Sequence, residues 1–371
     1  MTTAASNSLS GLRAKEDNYH KFLTKISAHF PEAAHYLNHE QMQFLDLKAV
    51  LADLQRIELG GFSHENVGGR YGRQQLNTPR ALTRSHGYLA LSRLLQRERR
   101  WCGNDVLFDA LAGNGTFDRV MQELVVERPK YVGNDVSITM VRQAHRDNRL
   151  VFYSDLRTPV LRDGFADYAV SAYGTHHVPP DVRQAFVNAA ARRLKAGGTL
   201  VIQDFVEGRP TACWYSECIA QFRSCGHNYQ HFTRGELGAL LLDAGLANVT
   251  EHMIYDPFVM PVEPGSSDDA ARGHFYAYLI ELFALDRLER IAAQERLSGR
   301  TLGNLILPYF AMSAQDMDEI SRESANVVAE ALIERVLTVK NIDGVRCLVA
   351  PRVAIAAVGT RPLRISQFPP L

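Results

Sequence analysis

The sequence has no excess of charge, no paired cysteines and no long apolar run, and each absence removes a class of function. Lys plus Arg and Asp plus Glu are balanced at 41 each, so the chain offers no electrostatic footprint for nucleic acid or an anionic membrane. Neither partner is expected. The five cysteines are odd in number and form no C-x-x-C pair, which argues against a disulfide framework or a thiolate zinc site. They read as reduced thiols, most of them buried. Nowhere does an apolar stretch reach the roughly eighteen residues that a membrane helix needs. Residues 1–18 are polar and mixed in charge, without the apolar region of a signal peptide. The expectation is a soluble, cytoplasmic protein.

What remains is globular, with 46% hydrophobic and 22% charged residues. Three regions follow one another. From about Tyr19 to Arg100, apolar residues recur at helical spacing, as in Phe22, Ile26, Phe30 and later Leu89, Leu91, Leu94 and Leu95. This predicts a helical cap over residues 1–100, interrupted by the Gly-rich stretch GGFSHENVGGRYG and suited to a dimer interface. Over residues 101–260, short apolar runs alternate with helical patterns, which predicts parallel strands joined by crossover helices. The runs are Val106–Phe108, Tyr131–Gly133, Leu150–Tyr153, Tyr168–Ala172, Thr199–Gln203 and Val249–Ile254. The helix after Pro179 and Pro180 is punctuated by Gly197, and the next opens with Thr233 and Glu236 at capping-box spacing. Residues 261–341 form an insertion, mostly helical by pattern, after which Cys347–Val358 reads as one last strand within residues 342–371.

The most informative stretch is VLFDALAGNGTFD, Val106 to Asp118. A buried strand ends in Asp109, and Gly113 and Gly115 permit a tight backbone turn beside a ligand. A dinucleotide fingerprint requires a third glycine at position 118, where this chain has Asp118. A bound pyrophosphate, and with it a nicotinamide-dependent oxidoreductase, is therefore disfavoured. Further strand ends carry polar or turn-forming groups: Asp135, placed to accept ribose hydroxyls; Ser154 and Asp155, near an adenine edge; and Tyr173 with Gly174, facing the reactive end of a cofactor. Ligands of open α/β sheets bind along that carboxyl edge.

In these segments the sequence resembles the class I S-adenosylmethionine-dependent methyltransferases. The matching residues are DALAGNG, VGND, YSD, AYGTHHV, LKAGGTLVIQD and TRGELGALLLDAGLANV, with Leu111 departing from the family's first glycine. The resemblance implies an α/β, Rossmann-like seven-stranded methyltransferase sheet with an antiparallel last strand, flanked by the N-terminal cap and the helical insertion. It places S-adenosyl-L-methionine on Asp109, Gly113 and Gly115 (methionine moiety), Asp135 (ribose) and Asp155 (adenine), with Tyr173 beside them.

Methyl transfer requires an aligned nucleophile and a means of generating it, and the histidines are the candidates. His176 and His177 follow the fourth strand, where a structural role is the expectation. His227 and His231, in HNYQH, lie four residues apart and would share a face if helical. His274 lies in the insertion. The cap, core and inserted helices together resemble the α-keto acid β-carbon methyltransferases, which implies a metal ion, Zn or Fe, held by His231 and His274. The implied acceptor is a small α-keto acid such as 5-guanidino-2-oxopentanoate, and the implied chemistry a Lewis acid stabilising an enolate. Arg70, Arg73, Arg80 and Arg84 are candidates for an acceptor carboxylate, and Asp256, Glu263, Asp268 and Asp269 for a guanidinium. The alternative is an O-methyltransferase of a hydroxylated metabolite with His231 or His177 as general base. The rival of another class is a binding protein without turnover.

Overall fold

The computed structural model describes residues 23–59, 67–295 and 299–363; the expected helical position Phe22 and the first half of the Gly-rich stretch lie outside them. Its centre is a seven-stranded sheet of order β3-β2-β1-β4-β5-β10-β6. Five strands run parallel: β1 (Val106–Asp109), β2 (Lys130–Asp135), β3 (Val151–Tyr153), β4 (Ala166–Ala172) and β5 (Leu194–Asp204). On the far side lies β6 (Ala247–Tyr255), and β10 (Val353–Thr360) inserts between β5 and β6, antiparallel to both. Because helices cover both faces, the central strands are continuous apolar runs instead of alternating ones. All four residues of β1 are buried, as are the first seven of β10. The expected sheet class is thus the observed one.

The covering helices follow the sequence punctuation. α1 (Leu47–Ile57) is capped by Asp46, whose carboxylate accepts the Lys48 and Ala49 N–H groups. α2 (Val67–Leu76) and α3 (Ser85–Leu95) complete the cap region. α4 (Thr116–Leu124), α5 (Ile138–Arg146), α6 (Arg183–Arg193) and α7 (Glu236–Asp243) pack on the sheet. Half of the expected box at α7 forms, since Glu236 Oε2 accepts the Thr233 N–H at 3.0 Å. Within the Gly-rich stretch, the residues from Val67 onward belong to helix α2. Gly72 lies against α5, where a Cβ would collide with the Gln143 amide, so the missing side chain brings the two helices together.

The insertion holds α8 (Asp268–Phe283), α9 (Asp286–Gln294), α10 (Gly299–Ile306) and α11 (Ala314–Arg322). It is tied to the cap by Arg70 of α2, which reaches Glu281 at 2.8 Å, Asp286, and Glu289 at 3.5 Å. The expected single last strand over Cys347–Val358 is instead two strands. Pro351 removes a ladder donor, and the chain divides into β9 (Val345–Ala350) and β10. β9 pairs with β7 (Phe258–Pro261) and β8 (Thr338–Ile342) in a separate three-stranded antiparallel sheet at the root of the insertion.

At that root, Asp256 after β6 and Arg352 before β10 form a buried ion pair. Arg352 Nε also donates to the Asp256 carbonyl at 3.0 Å, and its guanidinium lies 3.9 Å from the Phe258 ring centroid. Breaking such a pair on one side strands a buried charge, at about 3–5 kcal/mol. Arg352→Leu is expected to lower unfolding stability by about that much in urea titration, and Asp256→Asn/Arg352→Gln by less. Equal losses in the two variants would contradict a charge-pair role.

Candidate functional site

At the carboxyl edge of the sheet the strand ends line a cavity of about 600 Å³. Asp109 ends β1 and is buried. Its carboxylate accepts the Leu111 N–H at 3.3 Å and the Tyr131 hydroxyl at 3.0 Å. Burial, helped by the nearby Asp135 and Asp118 charges and opposed by those two hydrogen bonds, pushes it up to about 7. The turn that follows has two left-handed residues, Gly113 at φ +54° and Gly115 at φ +78°. At Gly115 a Cβ would also meet the Arg149 side chain. Asn114, between them, donates to the Gly72 carbonyl of α2 at 2.9 Å, so the turn is anchored to the cap.

Asp135 ends β2. Its two carboxylate oxygens accept the Ser137 and Gly113 N–H groups, each at 2.8 Å, and each retains acceptor capacity for a hydroxyl. Burial pushes Asp135 up to about 6 against those bonds. Asp155, after β3, lines the cavity but is clasped by Arg157, whose Nη2 lies 2.6 Å from it. Tyr173 stands after β4 in the left-handed region, φ +59°. Its N–H donates to Gln203 at 3.0 Å and its hydroxyl to Asp256 at 2.9 Å. The six expected cofactor residues thus lie at one edge, and five of them line the cavity; Gly115 shapes the turn from behind. Asp118, in place of the third glycine, is an ion-pair partner of Arg149 at 3.0 Å.

The other part of the cavity lining comes from Tyr215, Arg223, His227, Tyr229 and Phe283, facing His177. Tyr215 belongs to a π-helical turn, Trp214–Ile219, the kind of local widening that often marks functional sites. His227 and His231 are in non-helical chain, contrary to the helical condition, yet their rings stack at 6.1 Å. Residues four apart share a side in extended chain as well.

Four imidazoles converge here. The ring centroid of His176 lies 4.2 Å from that of His177, 4.9 Å from His231 and 5.2 Å from His227. Potential ligand atoms of His176, His177 and His227 fall within 4.8 Å of one another, and so do those of His176, Asp204 and His231. Asp204, at the end of β5, accepts the His176 and Phe205 N–H groups at 2.7 and 2.8 Å and contacts His176 Nδ1 at 2.8 Å. Burial alone would raise the Asp204 carboxyl, but the His176 and His231 imidazoles hold it well below the usual range. Burial dominates at the histidines: His176 is lowered despite Asp204, His177 falls well below its ordinary value, and His227 falls to about 2. With Nδ1–H of His176 directed at Asp204, its Nε2 is a lone pair without a hydrogen-bond partner, and both ring nitrogens of His227 also lack one, while His231 Nδ1 lies 3.8 Å from Asp204.

The expected pair of His231 and His274 is not brought together. His231 is fully buried, whereas His274 is exposed on α8, off the face formed by Ala271, Phe275, Tyr278, Leu279 and Leu282. The donors that meet His231 are His176 and Asp204. Asp256 is equally unavailable to a guanidinium substrate, being paired with Arg352. Of the candidate arginines, Arg70 is held by insertion carboxylates and Arg84 is buried among Tyr71, Gln75 and Tyr88.

Comparison with known proteins places this geometry. Residues 108–202 match a family model described as a methyltransferase domain. No curated protein matches the sequence. Among solved structures the chain is similar to the YcgJ protein of Bacillus subtilis, at 15% identity and a TM-score of 0.41, covering 75% of this chain and 99% of that one. It is also similar to phosphoethanolamine N-methyltransferase 2 of Haemonchus contortus bound to phosphomonomethylethanolamine and S-adenosylhomocysteine, at 15% identity and a TM-score of 0.40, covering 80% and 60%. Likeness of that degree does not reach substrate or reaction. The family match spans β1 to β5, the strands whose ends carry Asp109, Gly113, Asp135, Asp155 and Tyr173, and this methyltransferase domain supports an S-adenosylmethionine-dependent methyltransferase.

Proposed function

We propose that the enzyme transfers the methyl group of S-adenosylmethionine to the β-carbon of a small α-keto acid, at a metal site built from His176, His177 and His227. The observation that carries this reading is the convergence of buried, uncharged imidazoles beside the cofactor edge. Buried ring nitrogens without hydrogen-bond partners, as at His176 Nε2 and at His227, are costly in a purely structural cluster, whereas neutral imidazole is the ligand form for Zn or Fe. The Asp204–His176 contact supports it, since a carboxylate on the remote ring nitrogen fixes the tautomer and orientation of a ligating histidine. A bound divalent or ferric ion would supply Lewis acidity to a keto oxygen and so ease loss of a β-proton.

The chain's own contributions follow from its residues. Asp135 and Asp109 accept hydrogen bonds from the ribose and the charged methionine end of the cofactor. Tyr173, locked by Gln203 and Asp256, forms the wall between cofactor and acceptor. Tyr215 and Phe283 exclude water, and His231, behind His176, lies against the Asp204 carboxylate that orients His176. The second reading, O-methyl transfer with His177 as general base, is favoured by the position of His177 in the cavity wall.

Elemental analysis of the purified enzyme is expected to find about one Zn or Fe per chain. His176→Ala and His227→Ala should each lower metal retention about tenfold or more, while His274→Ala retains it. Full activity after chelation would overturn the C-methylation reading in favour of the second.

Cofactor binding should depend on pH. Asp109 and Asp135 offer their full acceptor capacity, and a negative charge toward the cationic cofactor, only when ionised, with values near 7 and 6. Calorimetric affinity for S-adenosylmethionine is therefore expected to fall between about pH 8 and pH 5, by up to about tenfold per unit for each group. A flat profile would contradict the assignment.

Stability should run the other way. The Asp109 carboxyl is raised from 3.8 to about 7 in the folded state, so its ionised form costs stability from about pH 4 upward, in full above about pH 7. Asp109→Asn is expected to raise the melting temperature of the cofactor-free protein near pH 8, and less near pH 5, while weakening cofactor binding.

A further inference from the structure

Arg223 follows the last turn of the helical run that begins at Pro210, and it is 4% exposed. Its Nε donates to the Phe283 carbonyl at 3.0 Å. Five other buried arginines carry a carboxylate: Arg119 has Asp147, Arg149 has Asp118, Arg183 has Glu236, Arg193 has Asp163 and Arg352 has Asp256, and buried Arg84 is held instead by the Tyr71, Gln75 and Tyr88 side chains. Arg223 has no carboxylate within ion-pair distance among the described residues. The carboxylate that acts on it from farther off, Asp286, is engaged by Arg70 and Ser224.

A guanidinium withdrawn from water without a counter-ion is expensive. Here it lines the cavity, next to His177, His227 and Tyr229. The Nε contact is the one hydrogen bond the guanidinium makes among the described residues, which leaves both Nη atoms without a protein acceptor at this cavity wall. The two other arginines in the cavity wall are already committed, Arg157 to Asp155 and Arg56 to Asp53. We infer that Arg223 is the anchor for an anionic group of the methyl acceptor, a carboxylate gripped by both Nη atoms, and therefore that the acceptor is a small carboxylic acid.

This assignment rests on the cavity being the acceptor site of the proposed reaction, and it adds what sets specificity there. Planar guanidinium matches carboxylate bidentately, which an ammonium does not. An acceptor carboxylate on Arg223 would lie alongside the His177–His227 face, so the carbons next to it would be presented toward the methyl donor.

The test uses the full-length enzyme saturated with S-adenosylhomocysteine, titrated with 2-oxopentanoate and with its uncharged amide, 2-oxopentanamide, with binding read by ligand-observed NMR. The unmodified enzyme is expected to prefer the acid. Arg223→Gln should reduce acid binding about tenfold or more and abolish the preference over the amide. Arg223→Lys should restore part of that preference. S-adenosylmethionine affinity should be unchanged in both variants, which separates the anchoring role from a loss of folding. Undiminished acid preference in Arg223→Gln overturns the inference, as does its absence in the unmodified enzyme. Loss of acid binding on chelation of the unmodified enzyme, with retention in Arg223→Gln, would assign the carboxylate to the metal site instead; the inference would then fail while the proposed reaction stood.

Discussion

The ion pair between Asp256 and Arg352 is the contact on which the working architecture depends. Its two members lie at the opposite ends of one long excursion of the chain, immediately after β6 and immediately before β10. Closing that loop brings the small sheet and the inserted helices back over the carboxyl edge. The same carboxylate accepts the Tyr173 hydroxyl, so the clasp at the root of the insertion also positions a cavity wall. Gly87 of α3 makes this crowding feasible, because a Cβ there would collide with both Asp256 and Tyr173. Cap, core and insertion are thus joined through a few side chains at a single point.

The two parts of the cavity are electrostatically different. Where the cofactor's ribose and methionine are expected, Asp109 and Asp135 are acceptors whose ionisation is resisted by burial. Where the acceptor is expected, neutral imidazoles surround one ionised carboxylate, Asp204, and one uncompensated guanidinium, Arg223. A cationic donor and an anionic acceptor would each find the complementary side, which favours a fixed orientation across Tyr173.

Much of the cofactor edge was legible because its signals are local. A buried β1 ending in Asp109, a turn with two left-handed glycines, and Asp135 at the next strand end are short-range patterns with direct backbone causes. The acceptor side was not legible in the same way. Nothing in AYGTHHV reveals Asp204 or His231, which come from other strands and loops and meet His176 only in the fold. His274 looked suitable by residue type, but the phase of α8 turns it outward. Arg223 is marked only by lacking a carboxylate, a property no sequence window displays. The split at Pro351 was hidden because β7 and β9 pair across the whole insertion, and pairing over such distance leaves no periodicity to read.

The antiparallel placement of β10 also bears on how the molecule assembles. β5 and β6 are separated in the finished sheet by a strand synthesised only after the entire insertion. Until then each presents an unpaired strand edge, the feature that templates misassembly in nascent chains. Closing that gap is a late, long-range event with a high loop-closure cost. The enzyme's foldable unit is therefore not the matched methyltransferase segment by itself, and a chain cut within the insertion would leave its central sheet open at its middle.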